Sequence, residues 1–333
     1  MTGVAVDAGL AALDFGCVPP SPLQPAPRLA ASLGVAELCV KRDDLIGFAG
    51  GGTKCRKLAG LLQRLRASGA DTFLLSGGAM SNQVRIIAAL AAVSGHACEV
   101  FIDATEAAPA ARFGRFFGAR IHALPDATHW TLNAAIRGRL RELTAAGQRA
   151  VVIPAASHED LAAYAQAIGE LVAQGVPASP RRTLIVTAAG SGATSAGFLL
   201  GLERHLTTAR LLSISADRRS GELRTIITRL LASATGADPE GDDIGRLLAR
   251  LDVDDRAIGG GYGARTEDAD AAIALAARSE GLLMEPVYTG KALAALCAMS
   301  REGSIDRDDR IVFWHTGGVP YLASALAQPL PPD

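Results

Sequence analysis

TLIVTAAGSGATSAGFLLGLERHL (residues 183–206), followed by RLLSIS (residues 210–215), is the stretch that decides the fold class. Residues 183–188 are apolar, rich in β-branched side chains and closed off by glycine, which reads as a buried strand. Residues 195–206 then carry apolar side chains at helical spacing, and residues 210–215 form a second apolar run. A strand, a glycine turn, a helix and another strand make a βαβ crossover, the connection that parallel pairing requires.

The same alternation runs along most of the chain. Further strands are predicted at 38–41, 72–76, 97–102, 120–123, 150–153 and 310–314, and helices include 56–68, 82–94, 161–174, 221–234, 266–279 and 290–300. The pattern predicts an α/β protein with mostly parallel sheets covered by helices on both faces, built as two three-layer α/β/α domains. A chain of 333 residues has enough apolar material for two such cores. No Gly/Ser-rich linker separates them, so the domains are expected to interleave.

Composition excludes several classes of function. Lys plus Arg number 33 against 34 for Asp plus Glu, so no cationic field attracts nucleic acid or an anionic membrane surface. No apolar run approaches the ~20 residues that span a bilayer. The N-terminal stretch has no basic start and carries Asp7 and Asp14, unlike a signal peptide, which makes a cytoplasmic protein the expectation. Cys17, Cys39, Cys55, Cys98 and Cys297 are scattered, with no CxxC pair, so they are read as reduced thiols and no metal site is expected.

Ligands of open parallel sheets bind beyond the carboxyl ends of strands, and four distinctive segments fall there. In KRDDLIGFAGGGTKCRKL (residues 41–58), three glycines deliver Lys54 to the first turn of a helix, where the dipole favours the neutral, nucleophilic amine. A nucleotide P-loop is disfavoured, because Cys55 stands where a magnesium-binding Ser or Thr is needed. SGGAMSNQ (residues 76–83) brings backbone amides and short polar side chains together, although Ser81 or Asn82 also suits a plain helix cap. AAGSGATSAG (residues 188–197) has the form of a phosphate cradle. A nicotinamide-binding loop stays open for it, since Asp217 imitates an acidic ribose contact, but Ser195 stands where GxGxxG has glycine. The fourth element is EPVYTGK (residues 285–291) together with FWHTGG (residues 313–318). There His315 taken alone reads sooner as a packed or surface histidine than as a catalytic one, and Asp43 and Asp44 of the first segment as structural carboxylates.

Taken in order, these four segments resemble the tryptophan-synthase-like, fold type II pyridoxal-phosphate (PLP) enzymes, in the branch of 1-aminocyclopropane-1-carboxylate (ACC) deaminase and D-cysteine desulfhydrase. The resemblance implies a small domain of residues 55–165 inserted into a large one made of residues 1–54 and 166–333. It implies PLP as cofactor, held as a Schiff base by Lys54, with Lys54 also moving the substrate α-proton. Lys57 and the loop Gly190, Ser191, Gly192, Ala193 and Thr194 would hold the phosphate, Asn82 the ring hydroxyl, and Thr316 would sit near the pyridine nitrogen. Met80, Ser81, Asn82 and Gln83 would face the substrate, while Tyr262, Tyr288 and Ser81 would be the remaining catalytic candidates. The reaction implied is α,β-elimination from a small amino acid, of the D-cysteine desulfhydrase kind, releasing ammonia and a 2-oxo acid. Cyclopropane opening of the ACC deaminase kind and β-replacement are the alternatives, and a nicotinamide-dependent oxidoreductase is the rival from another class. A homodimer is also implied.

Three positions depart from the family pattern. Thr53 replaces the usual Asn, Met80 the usual Gln and Ala193 a frequent Gly. Met80 bears most on substrate choice, because a thioether cannot donate the hydrogen bonds of an amide.

Overall fold

The structure, a computed structural model, describes residues 20–176, 182–206 and 208–326. Cys17 and the acidic N-terminal stretch lie outside the described residues. The chain divides into two compact units, one of residues 54–155 and one of the described residues before 54 and from 156 onward. Both are α/β with mostly parallel sheets, as the alternation predicts.

The larger unit holds strands β1 (Leu23–Pro25), β2 (Glu37–Arg42), β7 (Thr183–Ala189), β8 (Arg210–Ser215), β9 (Leu251–Asp254) and β10 (Arg310–His315), in the order β1-β2-β10-β7-β8-β9. Only β1 runs antiparallel, as a three-residue edge piece containing Pro25, a residue that edge strands tolerate. Every residue of β7 is buried, and its side chains divide between two cores. Leu184, Val186 and Ala188 pack in one with Ile311 and Phe313 of β10, whereas Ile185 and Ala189 pack in the other with Val312 and Trp314. This period of two on both faces explains why strand 183–189 reads as a continuous apolar run.

The first core is covered by α1 (Pro27–Ser32), α10 (Glu267–Glu280) and α11 (Thr289–Arg301). The second is covered by α6 (Leu161–Ala173), α7 (Ala193–His205), α8 (Ser220–Thr235) and α9 (Asp242–Leu248). Helices α6 and α7 pack at very short range. A Cβ placed at Gly197 would lie 2.5 Å from the Tyr164 Cβ, and one at Gly201 would lie 2.6 Å from the Ala165 carbonyl oxygen. Gly197→Ala is therefore expected to destabilise the protein by about 1–3 kcal/mol by overpacking, measured as a lowered urea midpoint.

The smaller unit is a four-stranded parallel sheet in the order β5-β4-β3-β6, formed by β3 (Thr72–Gly77), β4 (Ala97–Ile102), β5 (Arg120–Ala123) and β6 (Ala150–Val152). Its helices are α2 (Leu58–Ser68), α3 (Asn82–Ser94), α4 (Pro109–Phe116) and α5 (His129–Ala145), while α12 (Val319–Leu326) closes the larger unit. Local signals set their ends: Ser81 accepts from the Val84 N–H at the start of α3, and Gly95 stops that helix with φ +73°. Strands β1 and β9 are absent from the sequence expectations. Each is short, and Leu251–Asp254 alternates leucine or valine with aspartate, which is a weak apolar signal.

Candidate active site

The segment that carries Lys54 is fixed on its N-terminal side by a buried carboxylate. Asp43 accepts hydrogen bonds from the Ser21 hydroxyl (2.7 Å), the Thr53 hydroxyl (2.9 Å) and the Trp314 indole N–H (2.8 Å). Its backbone carbonyl accepts the Gly52 N–H, and the Thr316 carbonyl accepts the Thr53 N–H at 2.9 Å. Gly52 has φ +117°, and a Cβ on Gly317 would sit 2.5 Å from the Gly52 Cα, so glycine is needed on both sides of this approach. Lys54 is bonded directly to Thr53 and lies in the 3₁₀ turn Thr53–Lys57 that leads into α2. The Thr53 hydroxyl anchors this turn to Asp43. Asp44 forms an ion pair with Arg42 (2.7 Å).

Within the smaller unit, Lys57 and residues 80–83 come together. The Lys57 ammonium donates to the Gln83 side-chain oxygen at 3.1 Å, and the Gln83 amide nitrogen donates to the Pro154 carbonyl at 2.9 Å. Both ends of the Gln83 amide are therefore engaged inside this unit. Ser81 is the helix cap described above, and Asn82 accepts from the Arg85 guanidinium at 2.9 Å. Met80 lies half-buried in the turn before them. A Cβ on Gly77 would lie 2.8 Å from the Ser81 side chain, so the glycines of this segment let the cap close onto the strand end.

In the larger unit, Gly190 to Thr194 join β7 to α7. Gly192 is the N-cap of this 13-residue helix, with φ +80° and no side-chain cap, so the first-turn amides have no capping group from their own helix. The Ala216 N–H donates to the Ala189 carbonyl, and Arg218 donates to the Gly190 carbonyl at 3.1 Å, which tie the loop to the segment after β8. Small residues, an uncapped helix start and its dipole suit a dianionic phosphate. A Cβ at Gly190 would lie 3.3 Å from the Tyr288 ring, placing that tyrosine beside the loop. The Tyr288 hydroxyl donates to the Tyr262 hydroxyl at 3.0 Å, with the rings edge to face. Burial pushes both phenols above the ordinary tyrosine range, so both remain protonated at neutral pH.

Glu285 organises the turn that presents Tyr288. Its buried carboxylate accepts the backbone N–H groups of Val287 (2.8 Å), Tyr288 (2.9 Å) and Thr289 (2.8 Å). Burial raises its carboxyl above the usual range, while those donors pull the other way. The EPVYTGK motif stands out in the sequence, but no role for Glu285 was expected from it; a Glu placed to meet the first amides of a following helix is the signal that points to one. His315 is packed. Its Nε2 donates to the Leu283 carbonyl at 3.0 Å, and its Nδ1 accepts the Gly317 N–H.

Burial lowers the His315 pKa, outweighing the nearby Asp44. The unfolded chain therefore takes up a proton at this position before the folded one does, and stability falls as the pH drops below about 6.5. In urea titrations, His315→Gln is expected to flatten that acid-side loss, despite a lower stability at neutral pH.

An uncapped glycine loop that suits a phosphate, a lysine in a glycine-led turn and a pair of protonated phenols, one of them beside the loop, are features suited to an enzyme that uses a phosphate-bearing cofactor. Comparison with known proteins defines it further. The family model described as "pyridoxal-phosphate dependent enzyme" matches residues 15–317. A protein of Burkholderia vietnamiensis described as 1-aminocyclopropane-1-carboxylate deaminase is 32% identical, covering 94% of this chain and 95% of its own. The crystal structure of an ACC deaminase homologue superimposes with a TM-score of 0.81 at 28% identity, covering 97% of this chain and 98% of the other. A hydrogen sulfide-producing enzyme of Fusobacterium nucleatum shares the fold, with a TM-score of 0.65 at 16% identity and coverage of 95% and 98%. The chain belongs to the PLP-dependent enzyme family and has the type II fold of that family. That membership sets aside the nicotinamide reading of the Gly190 loop.

Proposed function

We propose that this PLP-dependent enzyme is a lyase that deaminates a small α-amino acid to a 2-oxo acid by breaking a bond at the β-carbon, with D-cysteine as the first substrate to test. The observation that carries this reading is the pair of protonated phenols, Tyr288 and Tyr262, beside the phosphate loop. Such a pair can give a proton to a leaving group at the β-carbon.

Pyridoxal phosphate, when bound, draws electrons from the substrate α-carbon and so makes its proton removable. On this reading the Lys54 amine holds the cofactor and takes the α-proton. Gly190, Ser191, Gly192, Ala193 and Thr194 would hold the phosphate through backbone amides, and Lys57 would add positive charge. Asn82 would hold the ring hydroxyl, and Thr316 would serve the pyridine nitrogen. Ser81 and the second amide hydrogen of Gln83, the one not given to Pro154, would orient the substrate carboxylate, and Met80 would leave that side less polar. With D-cysteine the Cα–H and Cβ–S bonds break, and with one water the products are pyruvate, ammonia and hydrogen sulfide.

A second reading has ACC as substrate, and the name carried by the full-length Burkholderia relative favours it. The α-carbon of ACC carries no hydrogen, so there the Lys54 amine would take a proton from one ring methylene as the bond from the α-carbon to the other breaks, and the phenol pair would protonate the departing carbon. The products with water are 2-oxobutanoate and ammonia. The same reading takes the enzyme as a cytoplasmic homodimer.

The test is 2-oxo acid formation by the purified holoenzyme with D-cysteine, L-cysteine, ACC and the serine enantiomers. Pyruvate with equal sulfide from D-cysteine supports the first reading, and 2-oxobutanoate from ACC supports the second. Absence of any 2-oxo acid from every amino acid, with the cofactor spectroscopically bound, refutes both. Tyr288→Phe is expected to lower kcat on the productive substrate by about 10²-fold or more, the contribution typical of a positioned acid.

A further inference from the structure

Tyr262 lies in a segment with little means of holding its own shape. In Gly259-Gly260-Gly261-Tyr262-Gly263, three glycines take left-handed φ values: +65° at Gly259, +122° at Gly261 and +76° at Gly263. Such a segment loses much conformational entropy on ordering and offers few side chains to repay it. Its own turn hydrogen bonds are long, 3.4 Å from the Gly261 N–H to the Ile258 carbonyl and 3.2 Å from the Ala264 N–H to the Gly261 carbonyl.

The side chain of Lys291 meets this segment. Its fully buried ammonium donates to the carbonyl oxygens of Ile258 (2.7 Å), Gly261 (3.1 Å) and Ala216 (3.4 Å). Three protons meet three backbone carbonyls, with no side-chain acceptor among them. Lys291 also stands in the first turn of α11, three residues after Tyr288, where the helix dipole opposes a positive charge. Burial lowers its pKa, and Asp217 and Glu285 oppose that shift. A cation kept in so unfavourable a place joins three things: the loop of Tyr262, the helix that Tyr288 begins, and Ala216, whose N–H bonds the Ala189 carbonyl before the phosphate loop.

We propose that Lys291 is the positioning residue of the Tyr262–Tyr288 pair, an internal cation whose carbonyl clasp sets the loop 258–263 against the first turn of α11. This rests on the reading of that pair as the proton donor. The clasp selects for a compact positive charge. Removal of the side chain leaves a space lined by carbonyl oxygens at distances that suit ammonium or the larger alkali cations and are too wide for lithium.

The experiment compares holoenzyme carrying Lys291→Ala or Lys291→Met with wild type, in potassium, ammonium or lithium chloride at matched ionic strength. It measures the thermal midpoint and, on whichever amino acid the wild type turns over, kcat and KM. Lys291→Ala is expected to lose kcat by about tenfold to hundredfold with little change in KM, since it misplaces an acid without removing substrate contacts. Potassium and ammonium should raise both its midpoint and its kcat, and lithium neither, whereas wild type is indifferent. Lys291→Met, which fills the space without charge, should show the same loss and no cation response. Wild-type kcat in Lys291→Met, or a Lys291→Ala enzyme equally affected by all three salts, overturns the proposal. If Lys291→Ala fails to fold in every salt, the kcat of Lys291→Met decides alone. Rescue of the midpoint by potassium, together with undiminished kcat in Tyr262→Phe, upholds the clasp and refutes the proton-donor reading instead.

Discussion

Lys54→Ala is expected to reduce turnover by about 10⁴-fold or more and to abolish the visible absorbance of the covalently held cofactor. The size of the effect follows from two roles falling on one amine, since the group that holds the cofactor is also the base in the proposed reaction. Neither of the other lysines near these loops can assume both. Lys57 is three residues on, but its ammonium is directed at the Gln83 side chain at 3.1 Å. Lys291 is fully buried among backbone carbonyls. The measurement is an absorbance spectrum of the purified protein with added PLP, taken beside the 2-oxo acid assay. A variant that keeps both colour and activity would transfer the role to Lys57, and Lys57→Ala would then show the larger loss.

The second large effect concerns stability. Asp43→Ala is expected to lower the stability of the larger unit by about 3 kcal/mol or more, because the Ser21 hydroxyl, the Thr53 hydroxyl and the Trp314 indole lose a buried charged acceptor together. Thr53→Val removes one of those donors and its own need for an acceptor, so it should cost about 1 kcal/mol. The turn leading to Lys54 is also freed, so activity should fall further than the unfolded fraction explains. Urea denaturation followed by Trp314 fluorescence reads the first effect, and kcat per folded, PLP-loaded enzyme reads the second. Equal midpoints for Asp43→Ala and wild type would show that the three donors find other acceptors.

Much of the fold was legible because its signals are local. The strand at Thr183–Ala189 and the helix at Asn82–Ser94 are continuous apolar or periodic runs closed by glycine, and the structure places both at those positions. Helix α5 was less legible: it opens on exposed Trp130 and buries only Leu132, Ile136 and Leu143. The candidate residues were named by motif, which also offered the helix cap, but it did not show how their side chains pair. Ser81 caps a helix, and Gln83 spends both ends of its amide on Lys57 and Pro154. Three buried charged residues far apart in the sequence, Asp43, Glu285 and Lys291, each gather three hydrogen-bond partners around these loops.

What the sequence by itself determined was the βαβ alternation, the glycine loops at strand ends and the lysine one of them delivers. Hydrophobic period and glycine's backbone freedom act within a few residues and need no partner. Only the tertiary structure decided which loops meet. Because the sheet order places β2 beside β10, β10 beside β7 and β7 beside β8, Asp43 receives donors from residues 21, 53 and 314, and Tyr288 stands beside Gly190. Those contacts join residues tens to hundreds of positions apart, and their energy exists only once non-consecutive strands have paired.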